Sequence, residues 1–537
     1  MNKTGKLSRF LPASLILTGA IAPVCAQEKP NILCIVCEDI GPYLSCYGDP
    51  VAKTPNLDHF AREGVRFTHF YTPVGVSAPS RAALITGMYP TANGANHMRN
   101  TGGSLPPGID AYEVVLPEGV KCYTEFLREE GYYCTNNSKT DYQFKAPLTA
   151  WDENGKEAHW KNKPSDMPFF SIFNLFVTHE SQIWERNSKP LEVDPKDVPL
   201  PSYFPDDSIV RHDVAVMYSN IYEMDKQVQL LIDEVKEAGL LENTIIIFYS
   251  DNGGPLPRQK RALYESGTLV PLMVRFPDGY RKGEVEERLC SFVDIPATLL
   301  SLADIQPPSY MHGQSFLGRY QTKNREYIFG ARNRMDGQID KQGYVRDEKY
   351  RYIRNYFPEK SNYMPVQYRL QMPMMRRMLE LYNHDSLNDV QKIWFVAPRE
   401  TEEFYDVERD PDEINNLIYD PSYKEDIKRL RDVYNSWDIE YNELWKLPES
   451  ESRNLFFPDG SQQVAEISTF NQTKEGLVLK CKTPGASFAY QINGKGFSEN
   501  HWFLYSKPVI AKRGDSITVI AVRAGFKNSG MVTYYYK

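Results

Sequence analysis

The chain is short of the residues that build covalent or soft-metal scaffolds, with eight cysteines and nine histidines in 537 residues. Cys25 falls in the N-terminal leader. The other seven, Cys34, Cys37, Cys46, Cys122, Cys134, Cys290 and Cys481, lack the dense spacing of a disulfide framework and the paired spacing of zinc fingers. Cys34 and Cys37 make a C-x-x-C, but inside the apolar run Ile32 to Val36, where a buried core pair is expected rather than a redox site. Cationic excess is also missing. Lys plus Arg total 62 against 70 Asp plus Glu, a net charge of −8, so nothing draws the chain generally to phosphate backbones or anionic lipid, and nucleic acid is not an expected partner. Beyond the leader no stretch approaches the ~18 apolar residues of a membrane helix, and no internal repeat stands out.

What remains is a globular composition, 41% hydrophobic and 25% charged, with room for roughly three domains of about 150 residues. Lys3, Lys6 and Arg9, the apolar run Phe10 to Val24 and the Val24-Cys25-Ala26 site read as a secretory signal cut after Ala26. Export to the periplasm is expected, with secretion or a lipid anchor through Cys25 left open.

From Asn31 the pattern runs strand (NILCIVC), helix (PNLDHFAREG), strand (VRFTHFYT) and a helix opened by Pro79. A helix over Tyr218 to Ala238, a strand TIIIFYS, a strand PLMVRF and a helix ATLLSLA follow. This alternation predicts an α/β fold whose mostly parallel central sheet is flanked by helices, with ligands beyond the carboxyl ends of the strands. Expected boundaries are a leader over 1–26, an α/β catalytic domain over 27–324, a smaller α+β subdomain over 325–455, a linker (LPESESRNLFFPDGS), and a terminal β-sandwich over 462–537.

Glu38-Asp39 follow the first strand and Asp251-Asn252 follow TIIIFYS. Four oxygen ligands at two strand ends would suit a hard cation, Ca²⁺ or Mg²⁺ rather than Zn²⁺; singly, such pairs are also ordinary helix caps. Ser77-Ala78-Pro79-Ser80-Arg81, followed by Ala82 to Gly87, puts Ser77 at a helix mouth, where free N–H groups favour an anion.

That string resembles the sulfatase signature C/S-x-P-S-R-x-x-x-x-T-G, whose first residue is oxidised to formylglycine. PNILCIVCEDIG resembles the family's opening strand, IYEMDKQVQLLIDEVKEAGLLENTIIIFYSDNG its helix, strand and metal motif, and EEFYDVERDPDEINNL its closing segment. The likeness covers about residues 30–440 and implies an alkaline phosphatase-like fold. PLPRQKRALYESG is closer to the heparan N-sulfatase branch than to the arylsulfatases, and the last 75 or so residues resemble a chitobiase-type sandwich.

The resemblance implies formylglycine at Ser77, Ca²⁺ held by Glu38, Asp39, Asp251, Asn252 and the Ser77-derived group, and Arg81 orienting the aldehyde hydrate. It further implies Lys139 and Lys260 binding sulfate and His179 protonating the leaving oxygen. Serine at 77, where cysteine is commoner, implies a formylglycine-generating maturase that oxidises serine. Glu38 stands where the family has Asp, and Asp141 where it has a histidine, which makes Asp141 the candidate second-step base. His97 and Arg99 are candidate substrate contacts; Trp160, Tyr264 and Trp502 could stack on sugars, though none is singled out. The expected function is hydrolysis of sulfate esters or N-sulfate on a glycan such as a glycosaminoglycan or mucin chain. A phosphomonoesterase or phosphodiesterase of the same superfamily, and a non-catalytic glycan-binding protein with unoxidised Ser77, stay open.

Overall fold

A computed structural model describes residues 29–101 and 105–537; the expected leader and cleavage site lie outside the described residues. Eight strands form the central sheet: β1 (Asn31–Cys37), β2 (Val65–Phe67), β3 (Tyr133–Asn137), β4 (Glu153–Asn154), β5 (Phe169–Leu175), β6 (Thr244–Ser250), β7 (Leu272–Arg275) and β8 (Val285–Glu286), in the order β4-β3-β5-β1-β6-β7-β2-β8. Only β7 runs antiparallel to its neighbours. VRFTHFYT does not make one strand. It splits into β2 and a two-residue strand at 70–71 that pairs elsewhere with 290–291.

Every residue of β1 is buried, because both faces are covered. Ile32, Cys34 and Val36 pack on one side, with α2 (Ser77–Thr86), α3 (Tyr123–Glu129) and α5 (Asp294–Leu302); Leu33, Ile35 and Cys37 pack on the other, with α1 (Pro55–Glu63), α4 (Ser208–Glu237) and α6 (Pro373–Asn383). Cys34 and Cys37, three apart on a strand, therefore sit on opposite faces as free thiols, in keeping with a core pair. Helix α4 starts ten residues before the expected Tyr218, at Ser208, where the Asp207 side chain accepts from Ile209 N. Buried Asp225 on α4 in turn accepts from Leu57 N at 2.8 Å, ending the N-terminus of α1 with a carboxylate.

A second, antiparallel sheet follows: β9 (Ile328–Arg332), β10 (Gln342–Arg346), β11 (Tyr350–Asn355) and β12 (Glu402–Asp406). Helix α7 (Lys424–Tyr441) covers it through Ile427, Leu430, Tyr434 and Trp437. The expected linker is instead partly helical. Helix α8 (Glu449–Phe456) buries Phe456 against Tyr112, and Glu449 binds Arg334 and Tyr112. Last come β13 (Ile467–Thr473) paired with β14 (Gly476–Cys481), and β15 (Ser487–Ile492), β16 (Phe503–Leu504), β17 (Ser516–Val522) and β18 (Val532–Tyr535) in the order β16-β15-β17-β18. The two sheets share a core of Leu477, Leu479, Phe488, Ile517 and Val519. Among the described residues no helix is long and apolar enough to cross a membrane.

Candidate active site

Register decides where the polar residues meet. Cys37, at the end of β1, lies beside Leu175 of β5 and Ser250 of β6, and Asn137 of β3 lies beside Phe173 of β5. Glu38-Asp39, Asp251-Asn252, Lys139 and His179 therefore all follow the carboxyl ends of four adjacent parallel strands. Asp39 takes a left-handed φ of 52° and donates its N–H to Asp251 Oδ1 at 3.1 Å.

Carboxylate oxygens of Glu38, Asp39 and Asp251 come within 4.8 Å of one another, all three side chains buried. Asn252 joins them, its Nδ2 donating to Asp39 Oδ1 at 2.9 Å. Hard oxygens without sulfur or imidazole are a donor set suited to Ca²⁺ or Mg²⁺. Ser77, the first residue of α2, donates Oγ–H to Asn252 Oδ1 at 3.1 Å.

Cations surround this cluster. One turn on from Ser77, Arg81 donates to Asp251 Oδ2 (3.1 Å), Glu38 Oε1 (2.8 Å) and Asn174 Oδ1 (2.6 Å). Lys139 reaches Glu38 Oε2 at 2.5 Å, and Lys260 reaches Asp39 Oδ2 at 2.5 Å. Burial would raise the Asp251 pKa, but Arg81, Lys139 and Lys260 outweigh it and hold the group below the usual carboxylate range. In Asp39 burial prevails over Lys260 and the pKa rises. Burial likewise opposes the charge on Lys260, yet Asp39 and Glu180 keep its pKa above the ordinary lysine value.

His179 stacks on Phe176 with centroids 4.7 Å apart and points Nε2 toward Asp39 Oδ2, 4.0 Å away. Ser181 N–H donates to His179 Nδ1 at 3.2 Å, so the neutral ring carries its proton on Nε2. Burial, then Lys260, pushes its pKa down to about 3. In this resting arrangement His179 is a neutral hydrogen-bond donor aimed into the site.

Asp141 does not pair with Lys139, which is taken by Glu38. It sits in the loop beyond β3 at φ 53°, 3.4 Å from Arg99 Nη1, with Oδ2 buried and without a hydrogen-bond partner. Its charge reaches Arg81, adding to the rise of that group's pKa. Arg99 is half-exposed. His97 lies inside, 3.8 Å from Glu449, with burial pushing its pKa down to about 4. Trp160 and Tyr264 are buried, stacked on Phe169 and bonded to Glu403 respectively, and present no open ring face.

Glu180 and Arg261 escaped the sequence reading. They form a buried bidentate pair at 2.9 and 2.6 Å, Glu180 N donates to Asp39 Oδ2 at 2.7 Å, and Lys260 lies 3.4 Å from Glu180 Oε1. Each directly follows a residue that was singled out, His179 and Lys260, and adjacency was the one signal available.

A serine at a helix head, facing buried carboxylates and fixed cations beyond the strand ends of this fold, defines an alkaline phosphatase-like hydrolase of tetrahedral oxyanion esters. Residues 30–161 and 154–305 match the sulfatase family model, and residues 258–392 match the C-terminal domain of N-sulphoglucosamine sulphohydrolase. An ulvan-active sulfatase of Formosa agariphila is 40% identical over 94% of this chain and 90% of its own length. The human N-sulphoglucosamine sulphohydrolase is 26% identical over 79% of this chain and 92% of its own. Among solved structures, a 2-O GAG sulfatase superposes with a TM-score of 0.58 at 19% identity, over 80% of this chain and 96% of that one. A phosphonate monoester hydrolase of Agrobacterium radiobacter does so with 0.57 at 16%, over 84% and 99%. At such identities these likenesses establish the fold alone. The chain belongs to the sulfatase family, and is a sulfuric ester hydrolase.

Proposed function

We propose that this sulfatase removes sulfate, as an ester or N-sulfate, from an exported-enzyme substrate of the sulfated glycan class, using Ser77 oxidised to formylglycine by a maturase and one Ca²⁺. The observation that carries this reading is the Ser77 Oγ–Asn252 Oδ1 contact at the head of α2, inside the ring of Glu38, Asp39, Asp251, Arg81, Lys139 and Lys260. The glycan class is supported by the relatives named for ulvan and N-sulphoglucosamine.

Glu38, Asp39, Asp251 and Asn252, with the Ser77-derived group, would hold the cation, which when bound polarises the sulfate oxygens and neutralises charge. Ser77 oxidised to the aldehyde adds one water to give two hydroxyls on one carbon; one attacks sulfur as the S–O or S–N bond to the glycan breaks, and deprotonation of the other expels sulfate and restores the aldehyde. Arg81 orients that carbon from one turn along α2. Lys139 and Lys260, each already bonded to a site carboxylate, face the charge that grows on sulfate oxygens, the preorganised stabilisation that lowers such barriers. With the sulfate anion bound beside it, His179 becomes the imidazolium that gives its Nε2 proton to the departing oxygen, and Asp141 takes the proton in the release step. Arg99 contacts the glycan at the rim, with His97 shaping the loop behind it.

The catalytic unit is taken as 27–324, the subdomain as 325–455 and the sandwich as 462–537, exported to the periplasm after removal of 1–26. Mass spectrometry of the Ser77 peptide from the native host tests the centre of the reading: oxidation leaves it two hydrogens lighter, and Ser77→Ala should release no sulfate while folding normally. An unmodified serine in fully active protein would overturn it.

A further inference from the structure

The loop that carries Lys260 is held from outside the central sheet. Arg258 and Arg261 both take left-handed backbone, at φ 59° and 72°, a conformation that costs non-glycine residues on the order of 1 kcal/mol or more and persists only where the surroundings enforce it. Three guanidiniums, two from the second sheet and one from the connection between its strands β11 and β12, seize three carbonyls of this loop. Arg369 Nη2 donates to Lys260 O at 2.8 Å, Arg332 Nη1 to Arg261 O, and Arg351 Nη1 to Leu263 O. On the opposite side Arg261 N donates to Gly75 O at 2.5 Å, two residues before Ser77.

Arg332 and Arg351 also have carboxylates, Asp340 for the first and Glu265 and Glu413 for the second. Arg369 has none within ion-pair distance among the described residues. It is 1% exposed, lies 5.4 Å from the centre of the Trp394 ring, leaves Nε without a partner, and makes its hydrogen bond to the Lys260 carbonyl. Burial and the neighbouring Arg261 push its pKa down to about 9. A buried cation without a counter-ion is costly to the fold. Its position explains the cost, since the carbonyl it holds belongs to the residue whose ammonium lies on Asp39.

We propose that Arg369 is a positioning residue of the sulfatase reaction: without touching substrate, it fixes the Lys260 carbonyl and thereby aims the Lys260 ammonium at the sulfate site. The subdomain after the central sheet is thus part of the catalytic geometry. This rests on the reading of Lys260 as a sulfate-binding group.

A double-mutant cycle read by calorimetric titration of inorganic sulfate into calcium-loaded protein tests it. Arg369→Met should weaken sulfate about tenfold, and Arg369→Lys, which can still donate one hydrogen bond, should recover most of that. In the Lys260→Ala background Arg369→Met should add nothing beyond twofold. Should it weaken sulfate by the same factor there, Arg369 acts through the general field or fold and the inference falls, with the role of Lys260 intact. If Lys260→Ala binds sulfate as the wild type does, the reading of Lys260 falls and this one with it. Where Arg369→Met does not fold, the same cycle is run with Arg369→Lys, which should weaken sulfate measurably only while Lys260 is present.

Discussion

At the scale of single residues, charges here are kept by partners rather than by water. Burial would raise the Glu265 pKa, but Arg346 and Arg351, both bonded to Oε1, bring it down to about 2. Against an unfolded value of about 4.3, its ionised form favours the folded state above that pH, and the contribution drains away as the pH falls toward 2. Arg346→Met raises the folded pKa, so acid unfolding followed by circular dichroism should begin at a higher pH, with stability at pH 7 lower by about 3 kcal/mol. In the active site the test of Asp141 is kinetic. As a base for sulfate release, Asp141→Asn should lower kcat at least 100-fold, the lower bound of the general acid–base range, and lower KM with it, because only the release step is slowed. A rise in KM alone would reduce Asp141 to a holder of Arg99. The carboxylate cluster predicts linkage to metal: Ca²⁺ at a hundred times its Kd should stabilise the apoprotein by about 2.7 kcal/mol, EDTA should reverse the shift, and Asp251→Asn should abolish it.

Among elements, the close approach of three turns matters most. The Ala262 carbonyl sits between Gly75, ahead of α2, and Gly267, after the Lys260 loop; a Cβ on Gly75 would meet that oxygen at 2.3 Å, and one on Gly267 at 2.4 Å. Backbone cannot yield as a flexible side chain can. Gly75→Ala should therefore cost about 1–3 kcal/mol and, by parting Ser77 from Lys260, lower kcat/KM more than tenfold. Gly530→Ala, with nothing within 4 Å, should leave thermal midpoint and activity unchanged. These measurements separate the turn contact from a general intolerance of alanine.

For the whole molecule, the terminal sandwich is docked by a buried polar knot. Arg128 on α3 donates to Asp152 Oδ1 at 2.8 Å and to Trp502 O at 2.7 Å, and His501 Nε2 lies 2.8 Å from the same Asp152 oxygen. Burial would raise the Asp152 pKa; Arg128, His501 and the Cys134 N–H outweigh it. His501→Ala removes one arm of the knot without touching the strand ends of the main sheet. Differential scanning calorimetry should then resolve an earlier transition for the sandwich, while kcat/KM stays within about threefold. A single transition at the wild-type temperature would mean that the apolar contacts alone dock it.

Local pattern determined much of this protein by itself. Continuous apolar runs marked β1 and β6, and Pro79 marked the head of α2, because a strand covered on both faces and a helix start each leave their imprint on neighbouring residues. Acidic pairs after strands and the Ser77 string were legible for the same reason: each lies within a few positions. Tertiary structure alone decided which of these points meet. Glu38 and Arg81 are 43 residues apart, Asp39 and Lys260 221, and Arg369 and the Lys260 carbonyl 109. It also turned a stretch of linker-like composition into α8, where Phe456 and Glu449 find partners more than 100 residues upstream. Buried charges need partners but place no constraint on how far along the chain those partners stand, so strand register and sheet order, not spacing, chose them.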